Sequence, residues 1–404
     1  MMAVLSHFLR VLVPIAAAGP LYAATLTVGP LESITRISDA ARLAKDGDVV
    51  LIQPGTYRGD VAVWRQRSLE IRGIGQRPVL EAAGASAEGK GTWVFAGGRF
   101  RVANIEFRGA RAADHNGAGI RLEKGSLEIR SCVFEDNETA ILTGNDGDTE
   151  LRVRDSVFSR APQDSLSLHH LLYAGRIRTL SVEGSRFHGG YLGHLLKSRA
   201  ARSEIRYNLL VDGREGRASY ELEFPNGGVA LVVGNVIGQS RASANITMVA
   251  YGAESSTWPE NRLVLSHNTL ISEGWRPALF ARVWGSKLPA NTSVVTRNNL
   301  LAGLGLFDLV LPGTHSGNHL LRPGALEAES FAFSLPEDSA LRGQVEMPSP
   351  VTEAELVPTA EFSFPVGTTP LVVPSKWVPG AFQGAGLRLR QGPAGQPSPS
   401  PVSR

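Results

Sequence analysis

One six-residue pattern repeats through the middle of the chain: an apolar residue, two variable ones, a small residue or asparagine, one variable residue, an apolar residue. It reads Val102-Ala103-Asn104-Ile105-Glu106-Phe107, Ile129-Arg130-Ser131-Cys132-Val133-Phe134, Val153-Arg154-Asp155-Ser156-Val157-Phe158 and Val182-Glu183-Gly184-Ser185-Arg186-Phe187. Copies starting at Ile205, Val232, Leu265 and Val295 continue it, with successive starts 23 to 33 residues apart. That spacing suits a solenoid whose coils differ in loop length; it is too irregular for leucine-rich repeats and too short for propeller blades. The fourth position reads Ile105, Cys132, Ser156, Ser185, Asn208, Asn235, Asn268, Asn298. Stacked coils put these side chains above one another, and the four asparagines predict an amide ladder inside a turn.

A second series of short apolar runs lies between the copies: Gly119-Ile120-Arg121-Leu122, Ala140-Ile141-Leu142, Leu166-Ser167-Leu168, and residues 194–197, 220–224, 246–249 and 279–283. Each coil therefore holds at least two strands. The predicted fold is all-β, a single right-handed parallel β-helix with a short N-terminal helical cap. The cap is residues 37–45, where Ile37, Ala40, Ala41 and Ala44 share one face before a stop at Gly47. A helix there covers the open backbone edge of the first coil.

The ends of the chain read differently. Arg10 precedes an apolar run from Val11 to Ala18, and Ala23 and Ala24 follow as small residues. Residues 1–23 thus read as a secretory signal, too short in its apolar core for a bilayer span, and place the protein in a secreted or periplasmic setting. No membrane span is expected once the signal is removed. Residues 24–387 form the β-helix and an irregular C-terminal segment, Pro-punctuated from 323 to 380 and draped along the solenoid. Residues 388–404, rich in Gly, Pro and Ser, read as a disordered tail.

Composition narrows the partners. The net charge is +3 and no Lys/Arg run resembles a nucleic-acid tract, while a pI near 9.1 is compatible with an acidic polymer. The single cysteine, Cys132, excludes an intramolecular disulfide framework and, lying in the repeat, reads as a core residue. A monomer is expected.

The organisation resembles the pectate-lyase-like β-helix superfamily of secreted carbohydrate-active proteins, over roughly residues 45–310 by the repeat register. Asp46-Gly47-Asp48-Val49-Val50-Leu51-Ile52-Gln53-Pro54-Gly55-Thr56-Tyr57 looks like the first-coil motif of such proteins, and Val378-Pro379-Gly380-Ala381-Phe382-Gln383 like their common ending. Lys197-Ser198, followed by Ile205-Arg206-Tyr207-Asn208, is similar to the Lys-Ser stretch of chondroitinase-B-like and alginate-lyase-like members. The resemblance implies an acidic, uronate-containing polysaccharide as partner and a lyase or epimerase reaction, with Lys197 removing the proton beside the uronate carboxylate. It also shows departures. Where the family's catalytic arginine is expected, about one coil later, this chain has Glu221 and Glu223, so Arg199, Arg202, Arg217 or Arg282 must supply the charge. Tyr191-Leu192-Gly193 offers no carboxylate where the family's calcium ligands are expected.

Other readings of the same residues stand beside this one. Lys197 in a salt bridge to Glu221 or Glu223 is the structural reading. Glu221 and Glu223 flank Leu222, an alternation that puts both on one side of a strand and allows a glycoside-hydrolase acid/base pair. His194, with His169 and His170, offers a proton carrier or a structural turn residue. Tyr251 and Trp284 offer a sugar-stacking platform or coil-end packing, and His194, Tyr251, Glu254, Arg282 and Trp284 are the expected substrate-binding residues. Calcium is the one cofactor admitted: Asn145-Asp146-Gly147-Asp148 has the look of a calcium loop and equally of a plain turn, and no metal ligand is assigned. A glycan-binding β-helix without catalysis remains the alternative to any enzyme.

Overall fold

The computed structural model describes residues 23–384, apart from 165, 166, 310, 327, 329 and 330. Each central coil carries three short strands, and equivalent strands of successive coils pair in parallel into sheets of 12, 10 and 11 strands. One coil shows the order: Leu196–Ser198 in the second sheet, Arg202–Arg206 in the first, Leu209–Val211 in the third, and then Leu222–Phe224 back in the second. The fold is an all-β parallel β-helix.

The repeated pattern is the corner between the first and third sheets. Val102, Ile129, Val153, Val182, Ile205, Val232 and Leu265 pair in one register and point inward. Two positions on, the chain turns through a left-handed residue in every copy: Asn104, Ser131, Asp155, Gly184, Tyr207, Gly234, His267 and Asn298 all have φ between 51 and 68°. Glycine adopts that conformation without strain and asparagine or aspartate tolerates it, which accounts for Asn104, Asp155, Gly184, Gly234 and Asn298; Ser131, Tyr207 and His267 hold it against its strain. The next side chain then points into the coil. There Asn208 Nδ2 donates to Asn235 Oδ1, and Asn235 Nδ2 to Asn268 Oδ1, each at 3.0 Å.

The ladder differs from expectation at its far end. Asn268 donates to Asn299 at 3.0 Å, and Asn299 to Asn318 at 2.8 Å. Asn298 is the left-handed turn residue and bonds instead to the Glu346 carbonyl at 2.7 Å. The physical reason is register: Leu265 pairs with Thr296, not Val295, so the last copy of the pattern starts one residue later. With Asn298 and Asn299 adjacent, the pattern alone does not separate the two, and a one-residue shift exchanges inside for outside.

The sixth position builds a second column. Phe107, Phe134, Phe158 and Phe187 stack with centroid separations of 5.1, 5.0 and 4.4 Å, all fully buried. Each burial contributes about 2–3 kcal/mol and each ring pair about 1 kcal/mol more. Cys132 lies buried in the same core, its thiol pushed up to about 12 by burial.

The helical cap is Ile37–Leu43, two residues shorter than expected because Ala44 is already extended. Its first amides, from Ile37 and Ser38, donate to Asp60 at 2.6 and 3.0 Å. Within the Asp46–Tyr57 motif, Asp48 accepts from the amides of Ala24 and Lys45, which fastens the first coil. At the other end of the chain, Phe333, Phe362 and Phe382 pack on Leu209, Val236, Ile271 and Leu300 of the third sheet. Leu356 covers Val229, Leu231 and Val264 of the first. Gln383 closes the Val378–Gln383 motif by bonding the Val378 and Gly380 carbonyls. The C-terminal segment thus lies on two sheets, and the second sheet keeps its charged outer face. The expected signal falls almost wholly, and the expected tail wholly, outside the described residues.

Candidate functional site

Strand alternation selects the outward row of the second sheet. Tyr173, Lys197, Glu223, Ala250, Arg282 and Asp308 follow one another there, one residue per coil. Tyr173 lies on the strand His170–Ala174, where the sequence pattern had placed the strand of this coil at Leu166-Ser167-Leu168. That displacement hid Tyr173 from the sequence reading, although it lies about one repeat before Lys197.

An ammonium and an imidazole converge on one carboxylate. Lys197 Nζ and His194 Nε2 lie 2.9 and 3.0 Å from the same oxygen of Glu223, at ion-pair distance though off the axis of a good hydrogen bond. All three side chains are nearly buried. The ring of His194 is held by its other nitrogen, which accepts from the Tyr220 amide at 3.4 Å, so its Nε2 carries the hydrogen toward Glu223. Burial drives the Glu223 carboxyl up, but His194 and Lys197 outweigh it and hold Glu223 below the usual range. His170 stacks on His194 at 4.7 Å and accepts the His194 amide at 3.0 Å. Burial, with the nearby His194 and Lys197, keeps His170 far below its ordinary value and therefore neutral. His169 is buried and paired with Asp164 at 2.8 Å, so both members of the His-His pair serve structure.

A second knot lies beside the first. Glu254, from the corner two coils after Arg199, meets its guanidinium with both oxygens, at 2.6 and 3.0 Å, and lies 3.4 Å from Lys197. Arg199 also donates to the Tyr173 hydroxyl at 2.8 Å and to Asn226 at 2.5 Å. Arg199 holds Glu254 below the usual carboxyl range. Tyr220 completes the cluster: its ring is 4.8 Å from His194, and burial followed by the Glu223 charge pushes its hydroxyl upward. Arg282 is exposed on the same face, 4.7 Å above the Trp284 ring and paired with Asp308 at 3.4 Å.

Four expected site residues stand elsewhere or act differently. Glu221 does not share a face with Glu223. It precedes the strand, at the corner, where it is fully buried near Asp212 and 3.5 Å from Gln239. The alternation rule holds only inside a strand, so the carboxylate pair of the hydrolase reading is absent. Tyr251 is fully buried with its hydroxyl on the Gly228 carbonyl at 2.6 Å, so it is core and not a sugar platform. Arg202 lies on the first sheet, bonded to Glu204 and Glu355. Arg217, by contrast, covers the Tyr191 ring at 5.4 Å. The salt-bridge expectation for Lys197 holds, with Glu223 as partner. In the 145–148 turn, Asp146 accepts from Asp148 and Thr149, ordinary turn chemistry. Among the described residues no three His, Cys, Asp or Glu side chains gather as a metal group, and no helix is long and apolar enough to cross a membrane.

Comparison with solved structures gives the fold its setting. The crystal structure of pectate lyase Pel9A superposes with a TM-score of 0.53 at 14% identity, covering 89% of this chain and 96% of that one. The fold is that of a pectate-lyase-like β-helix. An alginate lyase from Paenibacillus sp. str. FPU-7 matches less closely, at a TM-score of 0.43 and 11% identity over 73% of this chain and 99% of that one. No family model matches the chain, and no curated protein matches its sequence.

Proposed function

We propose that the protein acts on an acidic, uronate-containing polysaccharide, as a lyase or epimerase, on the face around Lys197. The supporting observation is the placement of Glu254. A carboxylate gripped by both arms of a guanidinium with an ammonium alongside is the arrangement a uronate carboxylate needs to be recognised. Glu254 is about half exposed, so a substrate carboxylate can take its place. Lys197, Arg199 and Arg282 then neutralise charge that builds up as the neighbouring carbon loses its proton.

In this reading Lys197 reacts as the neutral amine and takes the proton from the carbon beside the carboxylate, becoming an ammonium. In a lyase the released electron pair forms the carbon–carbon double bond as the bond to the glycosidic oxygen breaks, and Tyr220, beside His194, gives that oxygen a proton. In an epimerase the proton returns on the opposite face and the chain stays whole. Lys197 and Arg282 stand three coils apart, about 14 Å at the usual strand spacing, enough for more than one sugar ring along the row.

Binding without catalysis is the second reading, favoured by one observation: the Lys197 amine already sits against two carboxylates. Lys197→Ala separates the two. Under the first reading it lowers turnover of alginate, chondroitin or pectate by about 10²–10⁴-fold, followed by ultraviolet absorbance of unsaturated ends and by proton exchange at the uronate carbon. Full activity in that variant overturns the assignment of Lys197, and wild type that binds these polymers without either signal supports binding alone.

A further inference from the structure

Around the corner from this face, between the third and second sheets, lies a cleft of about 900 Å³. Trp275 stands at its rim, 80% exposed, with the Arg276 guanidinium 5.7 Å from its ring centre. An indole so open to water contributes little to folding, and its flat apolar face is free to meet a ligand. Arg241 lines the same cleft and makes no ion pair among the described residues. Ser272 lines it too, with a hydroxyl more than nine-tenths buried and without a hydrogen-bond partner. Arg214 borders both this cleft and a neighbouring one of about 880 Å³ lined by residues of both charges, so the two adjoin along the corner.

We propose that the Trp275 cleft is a second glycan site, holding an acidic oligosaccharide away from the Lys197 face. The parts match the ligand's chemistry. A flat indole packs against the C–H face of a sugar ring, a guanidinium pairs with a uronate carboxylate, and a buried hydroxyl without a partner seeks a sugar hydroxyl. The function it implies is retention: a polymer anchored at Trp275 and Arg241 stays near the catalytic face between turnovers. The acidic character of the ligand rests on the proposed function; the existence of the site does not.

The test is migration in native gels containing alginate, polygalacturonate or neutral dextran, with Trp275→Ala, Arg241→Ala and their double variant. Both side chains are exposed, so folding is expected to survive, checked by thermal melting. The double variant is expected to bind the acidic polymers at least ~10-fold more weakly, to lose little on dextran, and to keep wild-type turnover of short oligosaccharides. Wild-type affinity in the double variant overturns the proposal, as does a wild type that none of the three polymers retards. Equal retardation of wild type by dextran overturns the acidic ligand. A wild type without turnover whose binding still depends on Trp275 and Arg241 upholds the cleft as a site and removes the catalytic reading, so the two fail separately.

Discussion

The Glu254 carboxylate spans the Arg199 guanidinium with both its oxygens, at 2.6 and 3.0 Å, although the two residues are 55 positions apart. The helix brings them together because both sit at the corner that follows a second-sheet strand, two coils apart. If Glu254 occupies the place of a substrate carboxylate, it competes with substrate. Glu254→Ala is then expected to lower KM for a uronate polymer by about 3–10-fold with little change in kcat, since it removes a ground-state competitor and not a transition-state contact. A raised KM in steady-state kinetics makes Glu254 a substrate contact instead.

The amide ladder is a stability element, and its corrected register can be tested by comparing neighbours. Asn235→Ala removes a side chain that accepts from Asn208 and donates to Asn268, leaving buried groups unpaired, and is expected to destabilise by about 1–3 kcal/mol. Asn299→Ala removes the bond from Asn268 and is expected to do the same. Chemical unfolding of both variants measures this. A wild-type midpoint for Asn299→Ala contradicts the register in which Asn299, not Asn298, continues the ladder.

The coil pattern was legible because it is enforced at every copy by the same two demands, a left-handed residue and then an inward one, polar from Ser156 onward. Those demands shape single positions, so they survive in sequence even where loop lengths vary. Two things escaped the pattern. The strand carrying Tyr173 follows a long loop, and several apolar residues there compete for the strand position; burial, not local sequence, chose His170–Ala174. The fate of Glu221 and Tyr251 depended on where the strands begin and which way their side chains face. Lys197, Arg199, Glu223 and His194 were legible as chemistry, but the Arg199–Glu254 grip joins separate coils and no local pattern encodes it.

Among the contacts that hold the C-terminal segment to the first sheet, one charged and one apolar residue have different expected weights. Glu355 reaches Arg202 at 2.8 Å and Arg262 at 2.9 Å, yet all three are substantially exposed, and such pairs contribute about 1 kcal/mol or less. Leu356 is almost wholly buried against Val229, Leu231 and Val264. Leu356→Ala is expected to destabilise by about 2–5 kcal/mol and Glu355→Ala by much less. Limited proteolysis and melting of the two variants decide this: equal effects mean the segment is held by charge.

Asp212 gives stability a pH dependence whose expected sign follows from its burial. It accepts from the amides of Gly190 and Ala218 at 2.6 and 2.8 Å, closing the corner loop before Glu221. Burial pushes Asp212 up to about 7 against the pull of those two amides. An unfolded aspartate loses its proton near pH 3.9, so between about pH 4 and 7 the folded state binds the extra proton. Stability contributed by this group is therefore fully present below about pH 4 and falls as pH rises to about 7. Above that it is level. Glu221, raised first by burial and then by Asp212, extends the same trend upward. The wild-type stability minus that of Asp212→Asn, measured by chemical unfolding at a series of pH values, is expected to decline across this window. A flat difference, or one that rises with pH, shows that Asp212 is ionised in the folded protein and that its two amide bonds outweigh its burial.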